Sequence, residues 1–340
     1  LTKINLVRAI TLVFAQHFFI SNSIGQTQNF KEVKYSEEPC YSRSIKVFKN
    51  RIITGNSNGK IYSFNLNSNK VNCLTKKTVI GEIRDIEISG NYLLGLQSAD
   101  SGLIIKAHLK KNPTIISADS LDWKNHFLDG LAVQENIGFI MGDPVENIFS
   151  LFFSKDGGSN WNRNRSDLKS FEGEAGFAAS GTNVQILADS LIYFVSGGTR
   201  SRFFKTKDLG ITWEISDIPY FSKSASGAYS LCMLDNLKGV VVGGDYTKPN
   251  ENDLIGFYTI DGGKTWQKSN NQPLGYRSCV INSNQILFCC GTNGIDYSVD
   301  FGKNWKSFAI GNYFAMTTFK GKLYATTTNG SFHIFDIPKE

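Results

Sequence analysis

From residue 43 to residue 335 the apolar positions fall in short runs, not in the i, i+3, i+4 order of an amphipathic helix. The runs are rich in Ile, Val, Leu, Phe and Tyr and are bounded by Gly, Asn, Asp and Ser, which marks them as β-strands separated by turns. They come in sets. The first holds 44–48, 51–55 and 60–64, and the second 85–88, 92–96 and 103–107. The third starts at Leu128 and continues with 139–143 and 149–153. The fourth holds 184–187, 191–195 and 202–204, and the fifth 229–233, 239–243 and 255–258. The sixth holds 278–281 and 286–290, and the seventh 315–319, 323–326 and 331–335. The pattern predicts seven four-stranded units, the last of which runs out of chain before its fourth strand. The weakly alternating stretch 30–35, ahead of the first unit, supplies it. Six units is the rival count, because the second set is weak.

The turn after the third strand repeats. Ser154-Lys-Asp156-Gly-Gly158-Ser-Asn-Trp161, Thr206-Lys-Asp208-Leu-Gly210-Ile-Thr-Trp213, Thr259-Ile-Asp261-Gly-Gly263-Lys-Thr-Trp266 and Ser298-Val-Asp300-Phe-Gly302-Lys-Asn-Trp305 share [ST]-x-D-x-G-x-x-W and take four of the five tryptophans. The carboxylate is expected to close the turn on backbone N–H groups two and three residues on. Glycine supplies a positive φ, and Trp opens the returning strand with a ring to bury between sheets. The Trp spacings of 52, 53 and 39 residues are blade-sized. Asp156, Asp208, Asp261 and Asp300 are therefore read as structural, with Trp161, Trp213, Trp266 and Trp305. One acid per turn is far short of a calcium site. The fold class that follows is all-β, a seven-bladed β-propeller with Asp-box repeats.

Residues 1–25 read as a signal peptide. Lys3 and Arg8 precede an apolar stretch, and Ser23-Ile-Gly25 offers a cleavage site before Gln26. The stretch is too short for a stable span. An exported protein with a single domain over 26–340 is expected. Its 34 basic and 30 acidic residues leave a net charge of +4, and no basic run argues for nucleic acid. Cys232, Cys279, Cys289 and Cys290 sit in strand patterns as core residues, and Cys40 with Cys73 is the pairing left for a bridge around the first unit. His108, His126 and His333 have no metal-ligand spacing. No Gly-x-Gly-x-x-Gly follows a strand, so no cofactor is expected.

The sequence resembles the propellers of the photosystem II stability/assembly factor family, and more closely their non-photosynthetic bacterial relatives. Gly142-Asp143-Pro144, the run 173–181, Gly243-Gly244-Asp245-Tyr246 and Tyr276-Arg277-Ser278 carry the likeness, which spans most of 30–336. It implies a seven-bladed assembly or binding module. Bacterial members often carry an oxidoreductase label that no motif here supports. The Arg-Ile-Pro motif of sialidases, which share the Asp-box, is absent.

In a propeller the connections into each first strand share a face with those between second and third strands. That rule gathers Arg43, Arg84, Asp129, Glu174 and Arg277 with Asp143, Arg200, Arg202, Asp245 and Tyr246 at one channel mouth. An unidentified protein or anionic ligand is the expected partner of this monomer, with blade-to-blade ion pairing as the other use of the charges. Asp143 and Asp245 are the one carboxylate pair nominated for glycoside hydrolysis.

Overall fold

The computed structural model describes residues 28–75, 81–98, 102–109, 114–119, 126–163, 167–187 and 191–337. The expected leader, 1–25, lies outside them. Seven antiparallel sheets follow one another around a ring. Blade one is Ser42–Phe48, Arg51–Asn56, Ile61–Asn65 and Val71–Cys73. Blade two is Glu82–Ser89, Tyr92–Ser98, Leu103–His108 and Thr114–Asp119. Blade three is Leu128–Gln134, Ile137–Val145, Ile148–Ser154 and Asn162–Arg163. Blade four is Val184–Leu187, Leu191–Val195, Arg202–Thr206 and Glu214–Asp217. Blade five is Ser226–Met233, Gly239–Asp245, Gly256–Thr259 and Gln267–Lys268, and blade six is Cys279–Ser283, Ile286–Gly291, Gly294–Ser298 and Lys306–Ala309.

Blade seven takes Met316–Phe319, Lys322–Thr326 and Ser331–Asp336 from the end of the chain and Phe30–Lys34 from its beginning. The seam runs Phe30↔Phe335 to Lys34↔Ser331. It is pinned by Val33 and Tyr35, which are buried with Ile45, Ile52, Tyr62 and Phe64 of blade one.

Each pair of neighbouring blades shares an apolar cluster, and the repeated Trp sits in these clusters. Trp161 lies with Leu94 and Leu96 between blades two and three, Trp266 with Tyr193 and Phe203 between four and five, and Trp305 with Val240 between five and six. Trp213, only partly buried, packs between three and four. The turn chemistry differs from expectation in register. Asp156 Oδ1 accepts the N–H groups of Ser159 and Asn160 at 3.0 and 2.8 Å, three and four residues on. The Ser or Thr hydroxyl accepts the N–H of the motif glycine, as Thr259 does from Gly263 at 3.0 Å. The Thr212 hydroxyl and N–H hold the Asp208 carboxyl down to about 2. The expected bridge does not form: Cys40 is buried and Cys73 exposed, and both are free. Cys73 Sγ instead faces the Thr75 carbonyl at 3.3 Å.

One substitution and one deletion test this architecture. Trp266→Ala empties a buried site edge-on to Phe203 at 5.2 Å and is expected to cost about 3–5 kcal/mol in chemical denaturation. Deleting residues 28–35 strips the outer strand from blade seven and uncovers the edge of Ser331–Asp336. Aggregation or a clear fall in Tm is expected, and a truncated chain that stays monomeric with unchanged Tm contradicts the seam.

Candidate functional site at the channel mouth

Four first strands carry a register shift at the same place. The extra residue is Arg43 in blade one, Arg84 in blade two, Asp129 in blade three and Tyr229 in blade five. A bulge re-aims one side chain without ending the strand. Here it places charged and aromatic groups at the inner end of each blade.

A cavity of about 350 Å³ opens at this mouth, lined by Arg43, Arg84, Phe177, Tyr229, Tyr246, Tyr276, Tyr313 and Phe314 among others. One wall is aromatic. Phe177 stacks on Tyr229 with centroids 4.0 Å apart, and Tyr276 meets Tyr229 edge-on at 4.8 Å. Tyr246 stands at the rim, 53% exposed. Burial, with Tyr276 beside it, pushes the Tyr229 hydroxyl far above its ordinary value, so it stays a neutral donor. The other wall is cationic. Arg43 Nε donates to Glu82 Oε1 at 3.0 Å, and Arg84 Nε makes an ionic contact with Glu82 Oε2 at 3.1 Å, off the hydrogen-bonding line. One carboxylate thus serves two guanidinium groups. The Arg43 and Arg84 planes also lie over Phe314 and Phe127, at 5.6 and 5.3 Å.

The floor is a single segment, residues 174–182, laid across the channel. Arg43 Nη1 donates to the Ala179 carbonyl at 3.4 Å and Arg84 Nη1 to that of Ala178 at 3.1 Å. Asp143 Oδ1 accepts from Gly176 N at 3.0 Å. Ser180 donates to the Ser278 carbonyl at 2.6 Å, and Leu231 N donates to the Thr182 carbonyl at 2.8 Å. Glu174 takes a two-pronged hydrogen bond from Arg202, Nε to Oε1 at 2.8 Å and Nη2 to Oε2 at 2.7 Å. Ala178 and Ala179 line the mouth cavity, while Ser180 and Thr182 line a second cavity of about 210 Å³ in the channel. The segment therefore plugs the channel between them. Two glycines let it pass: a Cβ at Gly181, which has φ +68°, would stand 2.1 Å from Asp85 Oδ1, and one at Gly176 would stand 2.4 Å from Asp129 Oδ2.

The ten residues expected at the mouth divide. Arg43, Arg84 and Tyr246 line the cavity. Asp129 and Asp143 both close on Gly176, and burial first and the nearby Asp143 charge second push Asp129 well above the usual carboxylate range. Arg202 and Glu174 anchor the plug. Arg277 does not reach the cavity, being 1% exposed, with Nε donating to Asp296 Oδ2 at 2.6 Å. Its acid partner comes from the third strand of its own blade, which sorting by loops overlooks. Arg200 pairs with Asp217 at 2.8 and 2.7 Å on the surface, and Asp245 closes its own turn on Thr247 N at 3.0 Å. Of the nominated hydrolytic pair, Asp143 Oδ1 accepts from Gly176 N under the plug, while Asp245 is engaged in its own turn. Sequence reasoning found Tyr246 but missed Glu82 and the aromatic groups Phe177, Tyr229 and Tyr276, although Tyr229 and Tyr276 lie at first-strand starts. Among the described residues no group of three or more His, Cys, Asp or Glu is placed to hold a metal ion.

A family model described as BNR/Asp-box repeat matches residues 257–268, the turn of blade five. No curated protein gives a significant sequence match. Many solved structures share the fold. YCF48 bound to D1 peptide is 9% identical with a TM-score of 0.63, covering 91% of this chain and 97% of that one. YCF48 from Cyanidioschyzon merolae is 11% identical with a TM-score of 0.60, covering 90% and 98%. The computationally designed Ika8 protein is 10% identical with a TM-score of 0.59, covering 90% and 100%. At these identities the likeness establishes the propeller fold alone.

The two kinds of arginine separate in stability. Arg277→Ala leaves Asp296 charged and buried, and is expected to cost about 3–5 kcal/mol. Arg43→Ala opens a part-exposed pair and is expected to cost about 0–1 kcal/mol. Urea denaturation of both variants reads the difference.

Proposed function

We propose that this chain is a non-catalytic binding propeller, exported from the cytoplasm, that takes a carboxylate-bearing segment of another polypeptide in the mouth cavity. The observation that carries the reading is the pairing of Arg43 and Arg84 with one shared acid, opposite an aromatic wall of Phe177, Tyr229, Tyr246 and Tyr276. A planar guanidinium offers two parallel donors to a carboxylate. Aromatic faces add apolar area and cost little side-chain entropy on ordering. A cavity of about 350 Å³ suits one or two side chains, and the plug gives them a backbone floor. The likeness to a propeller solved with a bound peptide supports the class of ligand. The leader-like sequence of 1–25 supports export, and fractionation of cells carrying the tagged chain tests it.

A peptide array rich in Asp, Glu and free C-termini, followed by calorimetry on the best binder, tests the site. Arg84→Ala and Arg43→Ala are each expected to weaken binding by about 1–3 kcal/mol with little change in Tm. Affinity is expected to fall as salt rises. Binding that is indifferent to both arginines and to salt overturns the assignment.

A further inference from the structure

The acid pair behind the cavity has no part in holding a ligand directly, and its surroundings are unusual. Asp129 is 1% exposed, and among the described residues its Oδ2 has no hydrogen-bond donor. It shares a neighbour with the Asp143 carboxyl: the Gly176 N–H donates to Asp143 Oδ1 at 3.0 Å, and a Cβ on Gly176 would stand 2.4 Å from Asp129 Oδ2, so both acids crowd one glycine. Two carboxylates in contact inside a protein cannot both stay ionised, and one proton between them turns the repulsion into a hydrogen bond. The pair also grips the plug. Asp143 Oδ1 accepts from Gly176 N, and Gly176 leaves no room for a side chain beside Asp129.

We propose that Asp129 and Asp143 are positioning residues that share one proton, and that this proton latches the plug segment 174–182 and so sets the shape of the mouth cavity. Loss of the proton to solvent leaves two buried negative charges under the plug, and the plug lifts. The charged and titratable groups that face the pair are few. Arg84, from blade two, lies nearest and draws Asp129 down, against burial and Asp143. Glu174, on the plug, is neutralised by Arg202. His126 Nδ1 meets the Ser150 hydroxyl at 2.6 Å, and that hydroxyl donates to the Asp143 backbone carbonyl at 2.8 Å. Asp85 is turned to Leu131 N at 2.8 Å. Because burial raises the acids in the closed state, the latch is whole below the ordinary carboxyl range. It weakens about tenfold per pH unit between about 4 and the pair's raised value, then levels off.

The latch builds the floor of the cavity assigned above, but its test needs no ligand. Hydrogen–deuterium exchange of the amides in 174–182 is followed from pH 5 to pH 9 as a ratio to the intrinsic rate. The native chain is expected to lose protection there by tenfold or more as pH rises, while amides of the blade interfaces do not. Asp129→Asn, whose amide donates permanently to Asp143, is expected to stay protected and pH-independent, and Asp143→Asn serves if the first variant does not fold. Flat protection in the native chain, or equal loss in the Asn variant at every pH, overturns the latch. Carbon-13 titration of the native aspartate carboxyls gives an independent reading: one proton is expected to remain on the pair above pH 5, and two ionised carboxylates at pH 5 refute it.

Discussion

Closing a stack of twisted sheets into a ring is the constraint on which everything else here depends. An open stack would leave one blade without a neighbour and one strand edge unpaired, which invites association. The chain solves both at once by sending Phe30–Lys34 to pair with Ser331–Asp336. Val33 and Tyr35 then reach blade one, so a single short strand completes a sheet and a blade interface. Once the ring is closed, every sheet buries both faces, and each interface needs its own apolar filling. The repeated Trp provides it between blades two and six, where Asp-boxes hold the outer turns.

Closure also creates an axial channel, and the chain fills it with its own backbone. Segment 174–182 is tied to blades one to six by Arg43, Arg84, Asp143, Arg202, Leu231 and Ser278. The carbonyls of Ala178, Ala179 and Thr182 and the N–H of Gly176 find partners in this way, as a buried connection requires. The plug turns a tube into a cup. The bulges at Arg43, Arg84, Asp129 and Tyr229 then turn side chains toward the inner ends of the blades. Magnitude separates their roles. Breaking a fully buried ion pair costs several kcal/mol, whereas a part-exposed one contributes about 1 kcal/mol or less. Arg277 and Arg202 therefore belong to the scaffold, and Arg43 and Arg84 are left for recognition.

The blade count and strand order were legible because strands buried on both faces leave short apolar runs bounded by turn residues, and because the Asp-box fixes Asp, Gly and Trp at set offsets. The mouth was legible only in part. Topology places first-strand starts at one end of the ring, so Arg43 and Arg84 could be found there. It does not say which side chain turns inward, since a bulge depends on pairing register and leaves no residue signature. Asp296, which neutralises Arg277, lies mid-strand in a different element. The plug was invisible for the same reason. The run 173–181 stood out only as part of the family resemblance, and the three-dimensional ring shows that Gly176 and Gly181 are small because carboxylates of two other blades press on them.

The central claim is that the plugged mouth, with its two arginines and aromatic wall, is where this propeller meets its partner. A crystal structure of the chain with the tightest peptide from the acidic array tests it most directly. The account predicts a peptide carboxylate within hydrogen-bonding distance of Arg43 or Arg84, resting above Ala178 and Ala179 with an apolar group against Tyr229 or Tyr276. A peptide seated instead on the Asp-box turns, or along the Phe30–Lys34 seam, with the mouth empty, contradicts it.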